Sequence, residues 1–302
     1  MIICVGEILY DCYVNKQNVC GDLTINAHPG GAPYNVACNL TYLGDKVCFI
    51  GNVGNDIFGK ELRKHALSMN FHHISILKKF NTTLALVSLD ENNERNFSFI
   101  RKNGADFRFK KLPFKLVNKA KIVHFGSLML STKEGRNFIL KELNLLKKSN
   151  VFLTFDVNYR NEIFTSQINA KNFYLKILPY FNLVKLSEDE VFFLTNLNDI
   201  DAGVKMLKKD FQIYIVTLSD KGSKLYYQDK IYFENSKKVN VVDTTGAGDA
   251  FLSGVLHYIN NKDIKYNDEY FHNLLEYANC LGAFSVTHEG AISNKISNYS
   301  IK

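Results

Sequence analysis

The chain has 302 residues, of which 46% are hydrophobic and 22% are charged. This length fits a single α/β domain over residues 1–302 with a small lid, and the composition predicts a globular protein with a sizeable core. The formal net charge of +7 comes from lysines scattered along the chain. Because no basic block with interleaved aromatic residues is present, a small anionic ligand is favoured over nucleic acid.

The cysteines and the first residues indicate a cytoplasmic protein. The cysteines at positions 4, 12, 20, 38, 48 and 280 form no CxxC pair. No histidines accompany them at metal-ligand spacing, so we expect free thiols in a reducing compartment and no zinc site. The opening MIICV lacks a basic leader and is too short to cross a bilayer, so we expect neither secretion nor membrane insertion.

Apolar runs alternate with helical patterns along the chain. The predicted strands cover 2–5, 47–50, 121–126, 151–157, 183–187 and 213–219, and the predicted helices cover 33–43, 56–69, 132–148, 187–195 and 247–259. This alternation predicts an α/β fold of three layers, in which a doubly wound, mainly parallel sheet has helices on both faces. The stretch SEDE at 187–190 also predicts a capping box.

Two segments interrupt the alternation and predict a small β-sheet lid. Residues 12–28 are polar and irregular, whereas 82–101 predicts a hairpin. Phe97 and Phe99 give this hairpin an apolar face, which fits either fixed packing on the main domain or a mobile lid. The exposed strand edges of such a lid would also allow two subunits to pair as a homodimer.

The stretch VVDTTGAGDAF at 241–251 places two glycines and an acid between apolar runs. A strand ending near Val242, a Gly-Ala-Gly turn and a helix starting near Asp249 would direct unpaired N–H groups and the helix dipole at one point. Such a geometry binds an anion. Alone, the stretch also fits an ordinary turn with Asp249 as N-cap. No Walker loop, dinucleotide fingerprint, serine-hydrolase elbow or protein-kinase catalytic loop occurs in the sequence.

A second glycine-rich motif, GGAPYN at 30–35, follows the carboxylate of Asp11. Taken alone, it fits an ordinary loop before a helix. Together the two offer a carboxylate, an amide and close backbone approach, which suit the hydroxyl groups of a polyol. The sequence therefore favours a site that holds both a polyol and an anion.

These motifs resemble those of ribokinase-like carbohydrate kinases, from one end of the chain to the other. The two family signatures are GGAPYNVACNLTYLGDKVCFIGNVGNDIFG at 30–59 and DTTGAGDAFLSG at 243–254. Other stretches resemble the fructokinase branch, namely RNFSFIRKNGAD at 95–106, HFGSLML at 124–130, FDVNYR at 155–160, KLSEDE at 185–190 and SVTHEGA at 285–291. The resemblance implies an ATP-dependent kinase that phosphorylates a terminal sugar hydroxyl, with D-fructose giving fructose 6-phosphate.

The resemblance also implies roles for residues at the reacting centre. Asp249 would be the catalytic base, and the N–H groups of Gly246, Ala247 and Gly248 would stabilise the charge of the transferring phosphoryl group. Phosphoryl transfer depends mainly on positioning and charge stabilisation, so a carboxylate of low pKa can accept the proton late. The implied sugar ligands are Asp11, Gly30, Gly31 and Asn35, and Arg101 and Arg160 are candidate fork donors to the sugar or the phosphates.

ATP, Mg²⁺ and K⁺ are the implied cosubstrate and cations. Lys185 would lie near the phosphates, although a solvated lysine at a strand end is the alternative. The base and ribose would contact Thr217, Gly222 and Asn279. Glu190 would organise Mg²⁺ through water, although Ser187 stands where the wider family commonly has asparagine. Asp243 and Thr245 resemble positions that bind a monovalent cation.

Three alternatives to a fructokinase stay open. Kinases of 2-keto-3-deoxygluconate and of aminoimidazole riboside share much of the motif set. A keto-acid substrate would need a carboxylate clamp, for which Arg101 and Arg160 are the candidates. A protein of a different class would bind sugar or nucleotide as a regulator without turnover, since a fold alone does not establish activity. The intact Asp249 and its glycines argue against that reading.

Overall fold

The computed structural model describes residues 1–16, 22–89 and 95–299. In chain order the strands are β1 (Ile2–Val5), β2 (Leu9–Lys16), β3 (Leu23–Gly30), β4 (Val47–Gly54), β5 (His73–Leu77), β6 (Leu84–Leu89), β7 (Arg95–Ile100), β8 (Ile122–Phe125), β9 (Phe152–Asp156), β10 (Leu183–Ser187), β11 (Ile213–Thr217), β12 (Ser223–Tyr227) and β13 (Lys230–Glu234). The α-helices are α1 (Ala32–Tyr42), α2 (Ile57–Ser68), α3 (Phe114–Val117), α4 (Lys133–Leu146), α5 (Gln167–Ile177), α6 (Glu188–Thr195), α7 (Ile200–Leu207), α8 (Ala247–Asn261) and α9 (Asp268–Ser285).

The large sheet has the strand order β13-β12-β11-β10-β9-β8-β1-β4-β5 and is parallel from β11 to β5. β12 and β13 extend it by antiparallel pairing. The strand β1 is buried throughout, as expected for a parallel strand covered on both faces. Its residues Ile3 and Val5 belong to a core with α4 to α7, whereas Ile2 and Cys4 belong to a core with α1, α2, α8 and α9. The predicted three-layer fold is therefore confirmed.

The small sheet has the strand order β3-β2-β6-β7. β6 and β7 pair antiparallel with Val87 opposite Phe97, which confirms the predicted hairpin, although its tip at 90–94 lies outside the described residues. The prediction of irregular structure over 12–28 is wrong for its described part, where β2 and β3 pair antiparallel. Residues 23–28 of β3 are all exposed. Backbone hydrogen bonds hold β2 and β3 together. Because residues 23–28 are exposed, the sequence of β3 lacks the continuous apolar run that marks the buried strands of the large sheet.

The segment before α8 differs from the sequence prediction. The strand predicted to end near Val242 is not found in the described chain, where β13 ends at Glu234 and is followed by a connection without regular secondary structure. The N–H of Val242 donates to the carbonyl of Val286 after α9 at 2.7 Å, and the Val242 side chain is exposed. The predicted helices, in contrast, agree with α1, α2, α4, α6 and α8 to within two residues at each end.

The described cysteines are free thiols, as predicted. Cys4, Cys38 and Cys48 are buried, and burial raises the pKa of each thiol above its usual value. The reactive thiolate form is therefore disfavoured at these positions. None of the described helices is long and apolar enough to cross a bilayer.

Candidate active site

A cavity of about 320 Å³ lies between the two sheets. Its wall on the small-sheet side includes Asp11, Phe97 and Phe99, and its wall on the large-sheet side includes Lys185 and the loop 244–249. Parallel strands of the large sheet end at this cavity, where ligands of open α/β sheets commonly bind. The other lining residues are Glu7, Leu9, Gly31, Ala32, Asn35, Ala85, Leu128, Asn158, Arg160, Ser187 and Glu190.

The glycine-rich loop ends at the first turn of α8, and this turn faces the cavity. The helix begins at Ala247, and Gly246 is its N-cap with φ of 76°, a left-handed conformation that favours glycine. Among the described residues no side chain caps this terminus. The first N–H groups of a helix have no intrahelical partner, and the helix dipole favours an anion at this end. The N–H of Ala247 donates to the Thr244 carbonyl at 3.3 Å, so it would have to leave that carbonyl to bind an anion. Asp249 occupies the third helical position, which excludes the alternative that it is the N-cap.

Asp249 joins the two glycine-rich motifs in space. Its Oδ2 accepts a hydrogen bond of 2.8 Å from Nδ2 of Asn35 on α1. Burial raises the pKa of Asp249 to about 6, although the Asn35 hydrogen bond and the positive charges of Lys185 and Arg160 lower it in part. The carboxylate is therefore mainly ionised at neutral pH, yet it binds a proton more readily than an exposed aspartate.

The paired glycines before α1 allow close approach of Asp11 and of the backbone of Glu7. A Cβ at Gly30 would lie 2.0 Å from Oδ2 of Asp11, so a larger residue would displace that carboxylate. A Cβ at Gly31 would lie 2.6 Å from the carbonyl oxygen of Glu7, and φ of Gly31 is 107°. The backbone geometry therefore requires glycine at position 31, whereas glycine at position 30 leaves room for the Asp11 carboxylate.

Lys185 and Asp156 form a buried ion pair at the base of the cavity. The Lys185 Nζ lies 3.2 Å from both carboxylate oxygens of Asp156. Burial lowers the pKa of Lys185, but the negative charges of Asp156, Glu190 and Asp249 outweigh it, so the pKa is raised overall. A Cβ at Gly248 would lie 3.0 Å from Nζ. Lys185 is therefore a charged group beside the anion-binding turn and not a solvated surface lysine.

Glu190 lines the cavity and forms the predicted capping box of α6. Its two carboxylate oxygens accept backbone N–H bonds from Tyr159 at 2.7 Å and Ser187 at 2.8 Å. Burial raises its pKa, and Lys185 and these bonds oppose the shift. The described residues provide no group of three or more His, Cys, Asp and Glu side chains for direct metal ligation. A carboxylate with remaining lone pairs fits a hydrated Mg²⁺ held through water.

Asp243 and Thr245 lie on the loop before α8, where the small sheet contacts them, and their assignment to a monovalent cation remains a prediction. The carboxylate of Asp243 accepts N–H bonds from Thr245 at 2.9 Å and Gly290 at 2.8 Å. The hydroxyl of Tyr13 on β2 lies 2.6 Å from Oγ1 of Thr245 and donates to Oδ2 of Asp243 at 3.4 Å. The glycine-rich loop is thus linked directly to the small sheet.

The two candidate arginines differ in position. Arg160 lines the cavity, and its guanidinium lies 5.6 Å from the ring centre of Phe97. Arg101 lies outside the cavity wall in a buried network, where Nε donates to Oδ2 of Asp106 at 2.9 Å and Nη2 to the same oxygen at 2.5 Å. Nη2 also donates to the carbonyl of Leu128 at 3.0 Å, and Nη1 donates to the hydroxyl of Ser131. In this geometry Arg101 anchors the segment after β7, and it does not present a fork to a ligand in the cavity.

The three residues expected at the base and ribose lie outside the cavity wall. Asn279 accepts a bond from Ser223 at 3.0 Å and donates to the Glu234 carbonyl at 3.0 Å, so its amide bridges α9 to β12 and β13. Gly222 has φ of 111° and adjoins the same carbonyl, because a Cβ there would lie 2.0 Å from it. Thr217 donates to Leu186 at 3.3 Å. Their assignment to the nucleotide remains a prediction.

Three residues of this region were not identified from the sequence. Glu7 and Tyr13 flank Asp11 at the crossing into the small sheet, and Asp156 ends β9. The signal for Glu7 was an acid inside the apolar run VGEIL, and the signal for Asp156 was an acid at the end of the buried run VFLTF. Tyr13 carries no such signal, since its partners lie 230 and 232 residues away.

Comparison with known proteins reveals relatives along most of the chain. Residues 1–298 match the family model described as pfkB family carbohydrate kinase. The probable fructokinase-6, chloroplastic, of Arabidopsis thaliana is 34% identical over 303 residues, which cover 96% of this chain and 78% of that protein. Fructokinase-1 of Oryza sativa subsp. japonica is 33% identical over 87% of this chain and 84% of its own length.

Two solved structures show the same fold with ligands. A fructokinase from Xylella fastidiosa with bound ATP superposes with a TM-score of 0.88 and 27% identity, and the match covers 98% of this chain and 94% of that one. A double mutant of the fructokinase from Vibrio cholerae O395, in a form with fructose, ADP and potassium ion bound, gives a TM-score of 0.86 and 26% identity. That match covers 97% of this chain and 94% of the other.

Proposed function

Because this chain belongs to the pfkB family of carbohydrate kinases, we propose that it transfers the γ-phosphoryl group of ATP to the 6-hydroxyl of D-fructose. The observation that carries the proposal is the meeting of Asn35 and Asp249 at the uncapped turn of α8. This meeting places a carboxylate, an amide and an anion-binding turn in one cavity. These are the groups that a sugar hydroxyl and a transferring phosphoryl group require.

Asp249 is the proton acceptor in this reaction. The sugar oxygen attacks the γ-phosphorus, the new O–P bond forms while the bond from the γ-phosphorus to the β,γ-bridging oxygen breaks, and the hydroxyl proton passes to Asp249. The N–H groups of Gly246, Ala247 and Gly248 stabilise the charge on the phosphoryl oxygens, and that of Ala247 exchanges its 3.3 Å bond to the Thr244 carbonyl for a phosphoryl oxygen. Mg²⁺, when bound through Glu190, would neutralise phosphate charge. Lys185 adds a positive charge beside the same turn.

The cavity wall favours a neutral polyol over a keto acid. Asp11, Asn35 and the backbone at Gly31 offer acceptors and donors for hydroxyl groups. A carboxylate would need an arginine fork, but Arg101 lies outside the cavity wall, and four of its five N–H donors bond Asp106, Leu128 and Ser131. Of the two candidate arginines, Arg160 lines the cavity and Arg101 does not. Relatives named fructokinase, and a related structure that holds fructose and ADP, support the same choice.

A coupled assay of ADP release tests the proposal. The purified chain is offered D-fructose, ribose, 2-keto-3-deoxygluconate and aminoimidazole riboside, and kcat/KM is compared. We expect fructose to exceed the others by orders of magnitude, because a site built to bond particular hydroxyls rejects analogues that lack them. A higher kcat/KM for another sugar would refute fructose as substrate and keep the kinase chemistry. If the chain phosphorylates none of the four sugars, the result would favour a regulator that binds sugar or nucleotide without turnover.

A further inference from the structure

Asp156 has a position that the reaction as described leaves unexplained. In the described part of the chain it ends β9, has an exposed fraction of 1% and is not among the residues that line the cavity. A ligand in the cavity is therefore out of reach of this carboxylate. Any effect of Asp156 on the reaction has to pass through a neighbouring side chain.

Lys185 is that neighbour. The strands β9 and β10 pair in parallel with Lys185 opposite Asp156, and the N–H of Val157 donates to the carbonyl of Lys185 at 3.1 Å. The Lys185 ammonium group donates to Oδ2 of Asp156 at 3.2 Å and lies 3.2 Å from Oδ1. Among the described residues, Lys185 is the one side chain that donates to this carboxylate. The register of the sheet thus places the acid where it anchors the end of the lysine side chain.

The same ammonium group also lies beside the first turn of α8. A Cβ at Gly248 would lie 3.0 Å from Nζ of Lys185, and Lys185 lines the cavity. Besides Asp156, the negative charges that act on Lys185 are those of Glu190 and Asp249. A lysine has a flexible stem and a compact charge, so its ammonium group is able to pair with any carboxylate within reach. Three carboxylates therefore compete for one ammonium group.

Asp249 is the strongest competitor once Asp156 is removed. Both carboxylate oxygens of Glu190 already accept backbone N–H bonds. Asp249 accepts a bond from Asn35 through Oδ2 and follows Gly248 in the same turn. Burial raises the pKa of Asp249 and the charge of Lys185 lowers it in part, so an ammonium group placed directly on this carboxylate would make it a weaker base.

We infer that Asp156 is a positioning residue, which holds the ammonium group of Lys185 beside the anion-binding turn and away from the carboxylate of Asp249. This rests on the proposed function, since it concerns the base and the phosphoryl site of the same reaction. The ammonium group then stabilises phosphoryl charge, while Asp249 stays open to the sugar hydroxyl. Asp156 itself touches neither substrate.

A double-mutant cycle on Asp156 and Lys185 tests this inference. Asp156→Asn removes the anchoring charge and lets Lys185 pair with Asp249, so we expect kcat with fructose to fall about 10²-fold or more. The KM for fructose should change less than about threefold, because the groups that hold the sugar are unchanged. Lys185→Met alone should lower kcat by only about tenfold, because it removes one charge near the phosphoryl group and leaves the base intact.

The double variant Asp156→Asn/Lys185→Met gives the decisive comparison. It has no ammonium group to occupy Asp249, so its kcat should exceed that of Asp156→Asn by about tenfold and approach that of Lys185→Met. A direct contact of Asp156 with metal or substrate predicts the opposite, because its loss would then add to the loss of Lys185. The second substitution would in that case lower kcat further.

The melting temperature and a matched variant control for folding. Asp156→Asn leaves a buried ammonium group without its partner and should lower the melting temperature, whereas the double variant removes both charges and should regain most of it. The kcat values are therefore compared at a temperature at which every variant is folded. Asp201→Asn breaks an ion pair of 2.7 Å with Lys224, outside the cavity wall, and should keep full activity.

The outcomes separate this inference from the proposed function. A double variant that is no more active than Asp156→Asn overturns the inference, because the loss then does not come from Lys185 at Asp249. Activity of Asp156→Asn within about threefold of the unmodified chain also overturns it, and a lower melting temperature would then assign Asp156 a structural role. Both results leave fructose phosphorylation by the unmodified chain intact. An unmodified chain that phosphorylates no sugar overturns both proposals.

Discussion

At the scale of residues, two opposing effects determine the pKa of Asp249: burial raises it, and hydrogen bonding and nearby positive charges lower it. Burial alone would favour its neutral form, whereas the bond from Asn35 and the charges of Lys185 and Arg160 favour its ionised form. The resulting pKa of about 6 lies close to neutral pH. A base with such a pKa is ionised before the reaction and still accepts a proton from the substrate.

Asp249→Asn is the direct test of this role. The amide keeps the shape of the side chain but cannot accept the proton, so we expect kcat to fall about 10³-fold or more. The KM for ATP should change less than threefold, because the carboxylate acts on the sugar. Asp229→Asn in the exposed turn between β12 and β13 is the matched control and should keep full activity. Activity of Asp249→Asn within tenfold of the unmodified chain would contradict the assignment.

The pH dependence of kcat/KM tests the pKa of Asp249. Its pKa is raised, so the base is lost as pH falls through about 6, and kcat/KM for the sugar should decline below that pH with an acid limb near 6. Asn35→Leu removes the hydrogen bond that stabilises the ionised form, so the acid limb should move to higher pH. An acid limb that stays in place in Asn35→Leu would indicate that another group titrates.

The pKa of Asp249 also affects stability. The folded-state pKa lies above the unfolded value, so the contribution of this group to the free energy of unfolding is fully present at low pH and is lost as pH rises toward 6. Near neutral pH the ionised carboxylate therefore costs stability. Such a cost is common where a catalytic group is held in a destabilising environment.

At the scale of elements, the start of α8 depends on a glycine at position 248. Gly248→Val would bring a branched side chain toward Nζ of Lys185, which lies 3.0 Å from the Cβ position. We expect kcat to fall about 10²-fold or more, because the phosphoryl group approaches this turn. The melting temperature should change by only a few degrees, since the backbone of Gly248 is helical.

Gly282→Ala on α9 is the matched control for that variant. A Cβ there would make an ordinary contact of 3.4 Å with Phe251. Activity near that of the unmodified chain is therefore expected. If the Gly248→Val variant folded correctly and were as active as the unmodified chain, the result would show that no phosphoryl group approaches the start of α8.

The sequence predicted strands β1, β4 and β8 to β11 of the large sheet but not β5, β12 and β13. In the small sheet it predicted the hairpin of β6 and β7 but not β2 and β3. Buried parallel strands such as β1 and β10 are continuous apolar runs, so their bounds are visible in the sequence. β3 is exposed along most of its length and carries no such pattern. The valines at 241–242 show the opposite error, because apolar residues at the surface imitated a strand.

The candidate site followed from motifs where the chemistry is local. The glycines and Asp249 lie in one turn, so their spacing indicates an anion-binding turn as one alternative to an ordinary turn. The resemblance to carbohydrate kinases then favours the anion-binding turn. Arg101 has the right type of side chain, but its guanidinium is bonded to Asp106 five residues later. Which of two arginines faces a cavity depends on packing between elements, and that packing is not encoded in a short motif.

At the scale of the whole molecule, β3 is an edge strand of the small sheet with exposed apolar side chains. Leu23 is 61% exposed and Ile25 is 51% exposed. An open apolar edge can pair with a second copy, so we expect light scattering to give twice the mass of one chain. Ile25→Lys should then give a monomer. A monomeric unmodified chain would refute the pairing.

The small sheet is expected to close over the sugar. Its residues Phe97 and Phe99 line the cavity, Arg160 of the opposite wall lies against Phe97, and Tyr13 bonds Thr245 of the anion-binding loop. An occupied cavity would strengthen these contacts and hold the small sheet against the large one, as lids do in other enzymes. The described residues of β2, β3, β6 and β7 should therefore exchange their amide hydrogens more slowly when fructose is bound.

Hydrogen exchange with and without fructose measures this closure, and β1 and β10 in the large sheet serve as internal controls. Tyr13→Phe removes the hydroxyl that links the small sheet to Thr245 and Asp243, so it should weaken the fructose-dependent protection and raise the KM for fructose several-fold. Because the ring remains, its edge contact with His28 is kept and the fold is preserved. Equal protection of the small sheet with and without fructose would show that it is fixed packing, and in that case the KM of Tyr13→Phe should not change.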